Sequence, residues 1–301
     1  MSRALAGKVA IVTGGASGIG RALSEELAAR GCEVVVADRQ MDLAREVAAK
    51  IHDRGGSAIA VELDVRDLEA FERVARDTVA RSRTVDFLFN NAGIGVGGEM
   101  ASYDPEDWDD VIDVNLRGVA HGIQAVYPIM IGQRSGHIVN TASVAGLIAP
   151  PHNGSYTATK HAVVALTKSL RMEAVRHGVR ASVLCPGVIR TPILTGGRFG
   201  RTKLEGATES LILKQWERAR PMTPDVFARK AVDRVLANQA IVVVPGWYKA
   251  FWYLERLSPD LSMALWRRIL DRTRAELEAS GVTFQGRKKA KPSSTRAAHL
   301  S

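Results

Sequence analysis

Apolar and polar positions alternate with two periods along this chain, and together they predict a repeating strand–helix order. KVAIVT (8–13) is a short apolar run of strand length, and GIGRALSEELAAR (18–30) shows a helical stripe that stops at Gly31. EVVVAD (33–38), a helix over 41–54 closed by Gly55-Gly56, AIAVELD (58–64), a helix over 67–82 and VDFLFNNAG (85–93) continue the alternation. The second half predicts a helix from Pro105 to about 130, strand 136–143, a helix from about 155 to Gly178, strand and turn 179–187, helix 224–237 and strand 240–245. Short apolar strands separated by helices of this length describe an α/β fold. The expected form is a doubly wound, Rossmann-like parallel sheet of about seven strands. Residues 246–280 form an aromatic-rich helical extension broken at Ser258-Pro259, and 281–301 a basic, disordered tail.

Composition changes this picture in two places. With 301 residues, 46% hydrophobic and 24% charged, one large globular domain is expected. The net charge of +9 is uneven: nine Lys/Arg against three Asp/Glu after residue 266 leave only +3 on the other 266 residues. The basic balance therefore describes a tail and not the main domain. Two cysteines, Cys32 and Cys185, fit a reducing, cytoplasmic setting and core positions. The N-terminus reads as no signal peptide, and no apolar run is long enough for a membrane span. No metal site is expected. Nucleic-acid binding is disfavoured, because no aromatic side chain interrupts GRKKAKPSSTR to stack on bases.

The candidate chemistry lies where strands end. TGGASGIG (13–20) places Gly14, Gly18 and Gly20, with Ser17 and Ile19, between the first strand and the first helix. There the backbone turns tightly and free N–H groups face a pyrophosphate. Asp38 closes the second strand, where a carboxylate accepts from ribose hydroxyls and repels a 2′-phosphate. Arg39 argues the other way, and NAD is preferred to NADP. Capping of the next helix is the bland reading of Asp38. Asp64-Val65 follow the third strand, Asp64 facing an adenine amino group or capping helix 67–82. Asn91-Ala92-Gly93 follow the fourth strand and line the same edge.

Ser143, on a Gly/Pro-rich loop, precedes Tyr156 and Lys160, four residues apart on one helical face. An ammonium about 4 to 5 Å from a phenol, at an effective dielectric near 20, favours the phenolate by roughly 3 to 4 kcal/mol. The pair is therefore expected to form an acid/base with a depressed phenol pKa.

TGGASGIG, NNAG, Asn115 in DVNLRG, Ser143, Tyr156-x-x-x-Lys160 and Pro186-Gly187 with Thr191 resemble, in kind and order, the motifs of short-chain dehydrogenases/reductases. The resemblance is to the shorter, single-domain branch and covers roughly residues 7–245. It implies Tyr156 as general acid/base, Ser143 polarising the substrate oxygen, and Lys160 tuning the phenol and binding the nicotinamide ribose. It also implies Asn115 disturbing its helix and holding a relay water, Pro186, Gly187, Ile189 and Thr191 around the nicotinamide, and a homodimer or homotetramer. Residues 192–223 read as a mobile substrate flap with one apolar helical piece, LILKQW.

The extension departs from that branch. WYKAFWYLERLSPDLSMALWRRIL sets aromatics beside cations, as a pocket lid, a subunit contact or a peripheral membrane contact through 247–270 would. Each of these favours a small apolar alcohol or ketone, of lipid, retinoid or steroid type. The alternative function is a non-catalytic nucleotide-sensing or scaffold protein on the same fold.

Overall fold

The computed structural model describes residues 4–284. Among these, nine strands and ten α-helices alternate: β1 (Val9–Thr13), α1 (Gly18–Ala29), β2 (Glu33–Asp38), α2 (Met41–Asp53), β3 (Ser57–Glu62), α3 (Leu68–Ser82), β4 (Phe87–Asn90), β5 (Gly95–Gly97), α4 (Pro105–Ile112), α5 (Gly118–Gln133), β6 (Gly136–Thr141), α6 (Gly154–Ala174), β7 (Val179–Pro186), β8 (Gly200–Thr202), α7 (Glu209–Glu217), α8 (Pro224–Leu236), β9 (Ile241–Val244), α9 (Lys249–Leu257) and α10 (Pro259–Ala279). Seven strands form one parallel sheet in the order β3-β2-β1-β4-β6-β7-β9. Strand order reverses between β1 and β4, which opens a crevice at their C-terminal ends.

The apolar runs predicted as strands are buried on both sides. Ala10, Val12, Val34 and Val36 pack with the apolar faces of α1, α2 and α8, whereas Ile11, Val35, Leu88 and Ile138 pack with those of α3 and α5. This two-sided burial is why β1, β2 and β4 read as continuous apolar runs instead of alternating ones. Cys32 and Cys185 are buried free thiols.

His137 in β6 is buried against Phe87 and bonds Ser182 Oγ at 2.9 Å. Burial, with Arg180 and Arg171 nearby, pushes its pKa down to about 3 from 6.5. The folded protein therefore binds fewer protons than the unfolded chain between those values, and stability falls as pH drops through that window. We expect a loss approaching about 4 to 5 kcal/mol by pH 3 from this group. Urea midpoints across pH 7 to 4 check it, and a profile unchanged by His137→Gln would refute it.

The helix over 105–130 is interrupted where Asn115 is expected to disturb it, by a π-type turn at Asp113–Arg117 that separates α4 from α5. Two differences from the sequence reading matter. The segment 192–223 contains β8, paired in parallel with β5, and α7, which holds the LILKQW run. Neither β5 nor β8 is legible in sequence, because each is three residues long. Finally, residues 281–284 are not tail: Val282 is buried and Thr283 N donates to Glu205 O at 2.9 Å. The rest of the expected tail, 285–301, lies outside the described residues. The break between α9 and α10 falls at Ser258, as expected from Pro259.

Candidate active site

The C-terminal edge of β1 is tied to that of β4 through one hydroxyl. Thr13 Oγ1 accepts from Asn91 N (2.9 Å) and Ala92 N (3.1 Å), and Asn91 Nδ2 donates to Thr13 O (3.1 Å). Gly14 begins the turn with φ +62°, and a Cβ there would lie 2.9 Å from Ala92 Cα. A glycine is therefore required by conformation and by space. Gly18 faces Thr191, whose Cγ2 would sit 3.1 Å from a Cβ at 18. The turn leads into α1, whose N-cap Ser17 makes no side-chain capping bond, so the first-turn N–H groups, those of Ile19 and Gly20 among them, are left uncapped by its hydroxyl.

Asp38 is buried at the end of β2. One carboxylate oxygen accepts from Ala16 N at 3.0 Å, and the other from Gln40 N at 2.9 Å. It thus fixes the glycine turn as well as opening the next helix. Arg39 is exposed and makes no ion pair among the described residues. Asp64 is pinned by Arg66 (2.6 Å), which holds its carboxyl below the usual range. It does not cap α3; Asp67 does, accepting from Ala70 N at 2.9 Å. Val65 is buried, and its carbonyl meets His121 Nδ1 at 3.0 Å.

The second cluster forms across β4, β6, α6 and the π turn. Asn115 is fully buried; its Oδ1 accepts from Ile94 N (2.9 Å), while Nδ2 donates to Ile94 O (2.9 Å) and Thr159 Oγ1 (3.3 Å). Thr159 in turn donates to Tyr156 O at 2.8 Å. The Asn115 side chain therefore clamps the start of α6 against the chain after β4 through protein partners. Lys160 Nζ donates to Thr141 O at 2.9 Å and lies 5.4 Å from the Tyr156 ring centroid. A Cβ at Gly93 would meet both Asn115 Oδ1 (3.2 Å) and Lys160 Nζ (3.4 Å), so these groups converge on that glycine. Ser143 Oγ accepts from Ala145 N (3.1 Å) and points to Pro186 O (3.5 Å).

The electrostatics differ from expectation. Burial pushes the Tyr156 phenol up, opposed by its hydrogen bond with Ser143. Burial also lowers Lys160 to about 8. An ammonium that is itself hard to charge is a weak partner for a phenolate, so the phenol is raised and not depressed as the spacing suggested. Desolvation is the largest cause for both groups.

Sequence reasoning missed Tyr248. Its ring covers Gly187 so closely that a Cβ at 187 would overlap Cε2, and its hydroxyl meets Val188 N at 3.4 Å. On the other side, Met222 N donates to Val188 O and Arg190 N to Met222 O, which holds the Pro186–Thr191 chain in place with Ile189 buried. No local pattern signals a tyrosine about sixty residues away. Thr13 was legible only as the last residue of a strand.

The model of the short chain dehydrogenase family matches residues 8–198. The chain belongs to the short-chain dehydrogenase family. Among its relatives, an uncharacterized oxidoreductase of Staphylococcus epidermidis is 37% identical over 199 residues, which is 66% of this chain and 85% of that one. A short-chain dehydrogenase/reductase from Burkholderia phymatum, solved in complex with NAD, superimposes with a TM-score of 0.76 at 32% identity, covering 86% of this chain and 96% of the other. A metagenomic short-chain oxidoreductase in complex with NADP gives a TM-score of 0.64 at 31% identity, over 80% and 98% of the two chains. This family member is an oxidoreductase of NAD(P) type, and its similarity extends to relatives with either nicotinamide cofactor. Among the described residues, no helix is long and apolar enough to cross a membrane.

Proposed function

We propose that this chain transfers a hydride between NAD(H) and an apolar secondary alcohol or ketone, with Tyr156 exchanging the proton on the substrate oxygen. The observation that carries the reading is that Tyr156 meets Ser143 on one side and Lys160 on the other, with Lys160 Nζ facing Gly93 at the edge where the glycine turn also opens. The residues present fit a nicotinamide dinucleotide: the buried Lys160 ammonium makes one hydrogen bond among the described residues, which leaves donors for a ribose diol. When bound, the nicotinamide supplies or accepts the hydride. Ser143 holds the substrate oxygen next to the phenol and stabilises charge that develops there. Lys160 orients the ribose and shares protons with Tyr156. Pro186, Gly187, Ile189 and Thr191, braced by Tyr248, shape the nicotinamide end, and Asn115 keeps α6 in register.

Asp38 supports NAD, since a buried carboxylate at the end of β2 repels a 2′-phosphate. Asp38→Asn keeps the shape of the side chain and removes its charge. We expect the preference for NAD over NADP to fall by roughly 10-fold or more, read as the ratio of kcat/KM values.

An apolar substrate is supported by a cleft of about 220 Å³ lined by Ala149, Pro151, Met263, Trp266 and Leu270, with Glu255 and Arg267 at its edge. Its near wall is the loop that runs from Ser143 to Tyr156. Assembly as a homodimer or homotetramer is part of the same reading and is supported by Met172 and Val175, exposed on and just past α6. The test is reduced-cofactor absorbance with NAD or NADP and matched panels of apolar secondary alcohols and small polar polyols. Equal turnover of the polyols would remove the apolar assignment.

A further inference from the structure

The extension already buries one apolar stripe. Phe251 and Trp252 pack against the core near Tyr248, Phe251 meets Trp266 at 6.1 Å between centroids, and Leu277 and Val282 are buried further on. Its ends are also tied down. Arg274 pairs with Glu99 at 2.8 Å, Arg218 with Glu276, and Thr283 with Glu205. Nothing in the fold of a helical pair held in this way requires a second apolar stripe facing outward.

Yet one is present. Tyr253, Leu257 and Leu261 follow one another at four-residue spacing across the break and are 54%, 86% and 58% exposed. Trp247 and Ile269 are exposed as well, while Met263 is exposed at the mouth of the cleft beside Ala149 and Pro151. Of the large hydrophobic side chains that stand exposed among the described residues, the six between 247 and 269 outnumber the three found elsewhere. The patch is flanked by cations. Arg256, Arg267 and Arg268 make no ion pair among the described residues, while Asp260 and Asp271 are the exposed acids on the same surface and Glu255 is bound by Ser262. Just past it, residues 285–301 carry five Lys/Arg and no Asp/Glu.

We propose that α9 and α10 dock this protein on an anionic lipid surface. Tyr253, Leu257 and Leu261 enter the headgroup–acyl boundary, Trp247 sits at the headgroup level, and Arg256, Arg267 and Arg268 meet the phosphates. Charge complementarity selects this occupant over a second copy of the chain. Two such surfaces facing each other would set like net charge against like, three arginines to two aspartates with five further Lys/Arg in the sequence that follows, whereas anionic headgroups neutralise it. The docking does not rest on the identity of the alcohol, although Arg267 also borders the cleft proposed for it.

The experiment is vesicle co-sedimentation of the full chain with phosphatidylcholine alone and with phosphatidylcholine plus phosphatidylglycerol, at low and high salt. The expected result is binding to the anionic vesicles only, weakened by salt. Leu257→Glu/Leu261→Glu and Arg267→Glu/Arg268→Glu should each lower the bound fraction at least ~10-fold, with the melting temperature unchanged as a check on folding. Equal binding to neutral vesicles, or none to either, overturns the proposal. So does a wild-type oligomer that Leu257→Glu/Leu261→Glu dissociates in solution, which would assign the face to a second copy. Should the double variants not fold, Leu257→Gln alone supplies the same comparison.

Discussion

Replacing Tyr156 by Phe is expected to lower kcat/KM for hydride transfer by at least ~10²- to 10⁴-fold, the range that a positioned acid/base supplies. The change deletes one hydroxyl from an enclosed phenol and leaves the ring contact with Lys160, so NAD binding should shift only a few-fold. The pH profile carries a second reading. Burial holds the phenol protonated above its ordinary range. Alcohol oxidation needs the phenolate, so its kcat/KM should climb with pH toward the alkaline end. Ketone reduction needs the protonated phenol and should stay level through neutrality. Ser143→Ala removes the hydrogen bond that opposes the upward shift and should move the oxidative limb to still higher pH. Undiminished turnover by Tyr156→Phe would end the proposed role.

Lys160→Met is expected to inactivate the protein and also stabilise it at pH 7. Lys160 is 3% exposed, and its pKa of about 8 lies below the 10.5 of an ordinary lysine. Between those values the unfolded chain carries the extra proton, so stability rises with pH there. Below about pH 8 the full penalty of charging a buried amine remains, on the order of 3 kcal/mol. Methionine has similar volume and no charge to bury, but it leaves Thr141 O without its donor, a cost of about 1 kcal/mol. The net gain of about 2 kcal/mol should raise Tm by a few degrees at pH 7. It should vanish as the pH approaches 10.5, where the wild type no longer carries the penalty. A variant less stable than wild type at pH 7 would contradict the burial argument.

That the lysine proposed for catalysis should cost stability follows from where it sits. The proposed chemistry needs a cation next to a phenol and a ribose, and the position one helical turn beyond Tyr156 lies against β6, buried from water. The protein tolerates this because the surrounding sheet is stable enough to hold the amine against Thr141 O. His137, in β6 itself, is a second buried base. It gives the fold an acid sensitivity that is separate from the alkaline response of Lys160.

Much of the molecule is written in local pattern. Apolar runs of strand length, helical stripes ending at Gly31 and Gly55, and Pro259 after Ser258 produce the observed alternation and its break. The glycine turn, NNAG, Ser143 and the Tyr156–Lys160 spacing follow strand ends, so the parallel order places them on one edge. These features depend on a residue and its near neighbours, which is why sequence alone determined them. Tertiary structure decided what depends on many distant atoms. Strands β5 and β8 exist only because residues 95 and 200 come together. Tyr248 covers Gly187 across about sixty residues of chain. Asn115 commits its amide to Ile94 and Thr159. Tyr156 and Lys160 share a helical face by spacing, but their protonation is governed by how much water the surrounding sheet excludes, because desolvation is summed over every neighbour and no one-dimensional spacing records it.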